Sequence, residues 1–153
     1  MAKIFLKRVT KDDFDDIIAL TDTLSEPQKQ CVAPNVYSLA EAYANPKKAW
    51  ARGVHLDGKP IGFVMVALQS DDIPPEDQPG YFLWRLMIAG PYQNKGYGAK
   101  VLDLVVRKCR RDGLKTFYTS CNMKGPEPYR FYINYGFADT GRNDGEQILR
   151  MYL

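Results

Sequence analysis

The segment Gln93-Asn94-Lys95-Gly96-Tyr97-Gly98 joins two stretches of different periodicity. Before it, Gly80 to Ile88 is strongly apolar, interrupted by Arg85, and reads as a strand. After it, Tyr97 to Arg111 places Val101, Leu102, Val105 and Cys109 on one stripe, with Lys100, Asp103, Arg107 and Arg110 largely opposite. That stretch reads as a helix stopped by Gly113. A strand feeding a glycine-bearing turn that opens a helix is an anion-binding device. The first helical N–H groups have no intrahelical partner, and the helix dipole favours negative charge there. Gly96 and Gly98 lack a Cβ, so a phosphate group can approach the backbone, and Lys95 adds a mobile positive charge. A glycine turn that binds nothing would carry the same string.

The common phosphate-binding patterns do not match. No GxxxxGK(S/T) string is present. A GxGxxG reading starts at Gly96-Tyr97-Gly98 but meets Val101 where the third glycine or alanine belongs, and the first strand and turn of the chain lack the string too. A kinase glycine-rich loop would need downstream motifs that are missing.

Working outward, residues 3–9 read as a first strand and Lys11 to Leu20 as a helix capped by Thr10, with Phe14, Ile17 and Ile18 on one face. Leu24 to Asn35, with Pro27 and Pro34, reads as a loop or helix break, and Val36 to Ala44 as a short helix stopped by Asn45-Pro46. Alternation from Ala49 to Leu56, the Asp57-Gly58 turn and the return from Lys59 to Leu68 make a hairpin. An acidic, proline-rich loop runs from Gln69 to Pro79. Beyond the long helix come a strand at Leu114 to Ser120, a helix at Glu127 to Tyr135, and two strands from Gly136-Phe137 to Tyr152. The order β-α-α-β-β-β-α-β-α-β-β predicts a mixed α/β layer in one domain, residues 1–153.

Composition narrows the chemistry. One histidine among 153 residues, His55, excludes HExxH and multi-histidine zinc sites, so no metal is expected. His55 lies two residues from the hairpin turn and reads as a surface or strand-edge residue. Cys31, Cys109 and Cys121 are odd in number and form no CxxC pair, which fits a reducing cytosol better than a disulfide framework. Charge interrupts the first residues before a signal-peptide core could form, and the apolar run Ile61 to Leu68 is far short of a membrane span. The expected location is cytoplasmic, away from membranes. A net charge of +3 with no basic–aromatic stripe disfavours nucleic acid as a partner.

Two strings resemble a known family. Gln93-Asn94-Lys95-Gly96-Tyr97-Gly98 is similar to Q/R-x-x-G-x-G/A, the acetyl-CoA pyrophosphate motif of the GNAT superfamily of N-acetyltransferases, and Leu86-Met87-Ile88 with Pro91-Tyr92 resembles its fourth strand and lead-in. Phe131-Tyr132-Ile133-Asn134-Tyr135-Gly136-Phe137 resembles the family's LYxxxGF signature, in the expected order and with one strand between. Within the family, Val32 to Tyr43 and Trp84 to Ile88 resemble bacterial spermine/spermidine (diamine) acetyltransferases.

The resemblance implies a single-domain α/β GNAT fold with a mixed, mostly antiparallel sheet and a splayed acetyl-CoA cleft, and transfer of acetyl from acetyl-CoA to a primary amine by direct attack, a polyamine such as spermidine or spermine being the first acceptor to consider. It implies that backbone groups of Leu86, Met87 and Ile88 meet the pantetheine, and that Gln93, Asn94, Lys95, Gly96, Tyr97, Gly98 and Ala99 hold the pyrophosphate. Tyr132 maps onto the general acid, a task that suits a phenol neutral at pH 7. Relatives that acetylate polyamines carry an acid where this chain has Trp84, so the base is left open. Gly125 and Pro128 replace residues that the family often fills with Asn and Ala. On the acceptor side the resemblance points to Glu26, Tyr37 and Glu41, with Glu146, as candidates, although Glu41 on a short helix reads more readily as a solvated face. Arg107, Lys108, Arg110 and Arg111 could meet the coenzyme's 3′-phosphate or be plain surface charge. Relatives are commonly dimers, which leaves a homodimer open. A different amine (an antibiotic or a protein amine) and an acyl-CoA-binding sensor or structural domain without turnover are the alternative readings.

Overall fold

Every residue from Ile61 to Ala67 is buried, and that run sets the centre of one seven-stranded sheet in the computed structural model, which describes residues 3–153. Residues 1 and 2 of the expected 1–153 domain, where the N-terminal reading begins, lie outside the described residues. In chain order the elements are β1 (Ile4–Lys7), α1 (Phe14–Ala19), α2 (Glu26–Lys29), α3 (Asn35–Ala44), β2 (Ala49–Leu56), β3 (Lys59–Ala67), β4 (Gly80–Ile88), α4 (Tyr97–Arg111), β5 (Thr116–Cys121), α5 (Pro126–Tyr135), β6 (Ala138–Asn143) and β7 (Gln147–Tyr152). The strand order is β1-β2-β3-β4-β5-β7-β6, antiparallel throughout except for the parallel β4–β5 pair.

Period-two alternation along β3 sends side chains to two clusters. Val64 and Val66 pack with Val101, Leu102 and Val105 of α4, whereas Phe63 and Met65 pack with Ile17 and Leu24 beneath α1 and α3. The stripe read on α4 is fully buried at Val101, Leu102, Val105 and Cys109. Burying each of its three aliphatic side chains contributes roughly 1.5–3 kcal/mol. The β2–β3 hairpin turns at Asp57 and Gly58, both with positive φ (50° and 84°), as a two-residue turn between right-twisted strands requires.

Three readings change. The helix expected over 11–20 is the shorter α1; Thr10 still organises its start, accepting the Asp12 N–H while its own N–H donates to Asp13 Oδ1. The stretch expected as a loop holds α2, closed by a Ser25–Gln28 capping box that tolerates Pro27 in the first turn. His55 is not at the surface. It is 4% exposed, with Nε2 3.2 Å from Asp13 Oδ2, because the β2 register points it under the start of α1.

The feature that positions the site is a split. β4 and β5 pair only over Gly80–Leu83 and Thr116–Thr119. On the β3 side, Met65 pairs with Arg85 and Val66 with Leu83, so Trp84 is the extra residue of a β-bulge. Beyond it β4 and β5 diverge, and a cleft opens between them.

Candidate active site

The cleft has a volume of about 1270 Å³ and is walled by β4, β5, the start of α4, α5 and the α2 segment. One wall is a strand edge. Ala89 N–H donates to Ile61 O, so by alternation Met87 directs its backbone groups to β3 while Leu86 and Ile88 direct theirs to the cleft. All three residues line it, Met87 with a buried side chain. Beyond Leu83 this edge has no paired strand among the described residues, and unpaired edges accept extended amide-bearing chains.

The second wall is the start of α4. Asn94 (φ 62°) and Gly96 (φ 85°) adopt left-handed conformations that swing the chain into the helix, and Gly96 stands at the N-cap without a capping side chain. The first intrahelical donor with a partner is Lys100 N–H, bonded to Gly96 O at 3.3 Å, so the amides before it are free to meet an anion. No acidic residue sits in the first turn, and Lys108, Arg110 and Arg111 occupy the last. The two glycines have separate tasks. A Cβ on Gly96 would meet nothing within 4 Å, so its glycine serves φ alone; a Cβ on Gly98 would lie 3.0 Å from Phe131 Cζ, so that glycine makes room for an α5 ring.

The third wall brings in Tyr132. It is 9% exposed, its ring packed between Phe131 and Phe137 at centroid distances of 5.2 and 5.6 Å. Burial pushes its hydroxyl well above the usual tyrosine value, an effect that the neighbouring Thr119 hydroxyl partly offsets. Thr119 Oγ1 also donates to Leu83 O at 3.3 Å, across the last β4–β5 pair before the split. Tyr132 therefore sits at the apex of the cleft with its proton retained at neutral pH.

The sequence-expected residues divide. Leu86, Met87, Ile88, Gln93, Asn94, Gly96, Tyr97, Gly98, Ala99 and Tyr132 all line the cleft. Lys95 is exposed outside it. Glu26, Tyr37 and Glu41 do not line it: Glu26 pairs with Lys29 in solvent, Tyr37 is 59% exposed, and Glu41 pairs with Arg85 at 3.1 Å. Glu146 does line it, accepting the Ser120 hydroxyl at 2.7 Å. Two residues escaped the sequence reading. Gln28 was legible in the S-x-x-Q capping pattern of Ser25 to Gln28; Thr119 has no sequence signal, because only the strand split gives it a role.

Among the described residues, no group of three or more His, Cys, Asp or Glu side chains could hold a metal ion, and no helix is long and apolar enough to cross a membrane. The sequence profile of the acetyltransferase (GNAT) family matches residues 15–137. No curated protein is similar enough to the chain to count as a match. Solved structures share the fold at low identity. A PaiA N-acetyltransferase from Thermoplasma acidophilum in complex with coenzyme A has 15% identity and a TM-score of 0.72, with 99% of each chain covered. A GNAT family acetyltransferase from Elizabethkingia anophelis with acetyl-CoA bound has 17% identity and a TM-score of 0.66, covering 99% of this chain and 98% of that one. An aminoglycoside acetyltransferase in complex with coenzyme A and kanamycin has 17% identity and a TM-score of 0.76, covering 98% and 95%.

Proposed function

The chain belongs to the acetyltransferase (GNAT) family, and on that premise we propose that it transfers an acetyl group from acetyl-CoA to a small primary amine, a polyamine such as spermidine or spermine, in the β4–β5 cleft. The observation that carries the reading is the convergence on one cleft of a free strand edge, a left-handed entry into α4 and the protonated Tyr132.

Coenzyme A fits these walls in chemical kind. The N–H groups from Asn94 to Ala99 would hold its pyrophosphate, as helix starts hold anions, and the edge groups of Leu86 and the Ile88 N–H would pair with its pantetheine amides. Bound there, acetyl-CoA supplies an acetyl group activated as a thioester. Tyr132 holds a proton at its hydroxyl for the departing thiolate, and its raised affinity for that proton keeps it a donor across the neutral range. Burial pushes the Cys121 thiol up to about 11, so it remains a thiol and a poor nucleophile, which supports direct attack by the amine.

The acceptor assignment rests on charge. Arg85 is paired with Glu41, Lys48 lies over the Trp84 ring at 5.2 Å, and Asp144 is paired with Arg142. The ion pairs of the described residues leave three cleft carboxylates, Asp72, Glu127 and Glu146, without basic partners, against two cleft lysines, Lys48 and Lys124, without acidic ones, and that balance favours a cationic acceptor. Incubating the protein with acetyl-CoA and a panel of spermidine, spermine, kanamycin and a lysine-containing peptide, with products read by mass spectrometry, tests this. Acetylated spermidine or spermine formed fastest is the expected result. Faster acetylation of kanamycin or the peptide would overturn the polyamine assignment.

A further inference from the structure

The side chain of Gln93, the first residue of the phosphate-loop string, does not reach for an anion. Its Nε2 donates to Ile88 O at 2.9 Å and to Gln28 Oε1 at 3.2 Å, while its Oε1 accepts Gln28 Nε2–H at 2.9 Å. Both N–H donors are therefore used, and the amide orientation is fixed, since a flipped amide would set two acceptors against each other at Ile88 O. Gln28 is equally committed, because its Oε1 also accepts the Ser25 N–H at 3.0 Å and its own N–H donates to Ser25 Oγ at 3.3 Å, closing α2. A second tie lies beside it: Thr23 Oγ1 accepts the Gly90 N–H at 2.9 Å, and a Cβ on Gly90 would sit 2.4 Å from Thr23 O.

These contacts join three walls of one cleft. Ile88 O closes the free edge of β4, Gln93 leads into the α4 turn, and Ser25, Pro27 and Gln28 form the wall across from them. We propose that Gln28 is a positioning residue whose amide pair with Gln93 couples the phosphate loop to the α2 wall of the cleft, so that filling the loop orders that wall. The coupling rests on the loop being the coenzyme A seat. It makes α2, a single helical turn that would be marginal alone, dependent on that seat for its order.

Hydrogen exchange with and without coenzyme A, on the wild type and Gln28→Glu, tests the proposal. Glutamate keeps the acceptor that closes α2 and receives the Gln93 Nε2–H, but it replaces the N–H that donates to Gln93 Oε1 with a second acceptor, so the cap is kept while the reciprocal pair is set against itself. In the wild type, coenzyme A slows exchange both at residues 94–99 and at residues 23–30, the latter by about tenfold; in Gln28→Glu, protection at 94–99 persists while that at 23–30 falls below about twofold. Equal protection of 23–30 in the two proteins, or none in the wild type while 94–99 is protected, would overturn the coupling. Absence of protection at 94–99 in the wild type would instead overturn the coenzyme seat.

Discussion

Tyr132 and His55 carry the residue-scale lessons, and the sequence reading fared differently with each. Tyr132 lines the cleft among rings that travel with it in one string, from Phe131 to Phe137, and those neighbours bury it. His55 was misjudged because distance from a turn says nothing about which face of a strand a residue occupies; the register sets it against Asp13, 42 positions away in the chain. Neither ring nitrogen makes a hydrogen bond of good geometry, so the residue contributes packing and its approach to Asp13. We expect His55→Ala to lower stability by about 1–3 kcal/mol in a urea titration. A loss too small to resolve would mean that the side chain is not held under α1.

Elements were more legible than the contacts between them. The 97–111 helix coincides with α4 and the 80–88 strand with β4, because a strong apolar stripe and a continuous apolar run are local signals. The split between β4 and β5, the bulge at Trp84 and the bond from Thr119 to Leu83 depend on non-local pairing and could not be read. The same limit hid the partner of Glu41, which α3 presents to Arg85 of β4. At the start of α4 the left-handed φ of Gly96 gives a clean prediction. Gly96→Ala should cost about 1–2 kcal/mol and weaken coenzyme A binding, whereas Gly96→Asn, which tolerates that region better, should cost less. Thermal melts and calorimetry check both. Equal losses for the two variants would point to sterics instead, against the open space around that position.

At the scale of the whole molecule, several tyrosines resist ionisation together. Burial raises Tyr132, burial and then Asp103 raise Tyr135, and burial and then Asp112 push Tyr81 up to about 12. A group raised in the folded state holds its proton after the unfolded chain has lost it. The stability it contributes is therefore fully present below the free-tyrosine value of about 10 and is lost as pH rises through the folded value. The melting temperature should accordingly show no tyrosine-linked change from about pH 7 to 9 and fall above about pH 10, with part of the tyrosinate absorbance appearing only on unfolding. Full tyrosine ionisation near pH 10 in the folded protein would contradict the burial of these hydroxyls. The same sheet that shelters them also splits to make the cleft, so fold and chemistry share one origin in the short β4–β5 pairing.

The most direct test of the central claim is thiol release from acetyl-CoA in the presence of spermidine, comparing the wild type with Tyr132→Phe. Phenylalanine keeps the ring contacts with Phe131 and Phe137 and removes only the proton donor. The expected result is spermidine-dependent release by the wild type and a turnover about 100-fold slower in the variant, with coenzyme A affinity within about threefold of wild type. Equal turnover by the two proteins would contradict the role assigned to Tyr132, and coenzyme A binding without amine-dependent thiol release would contradict acetyl transfer to a polyamine in this cleft.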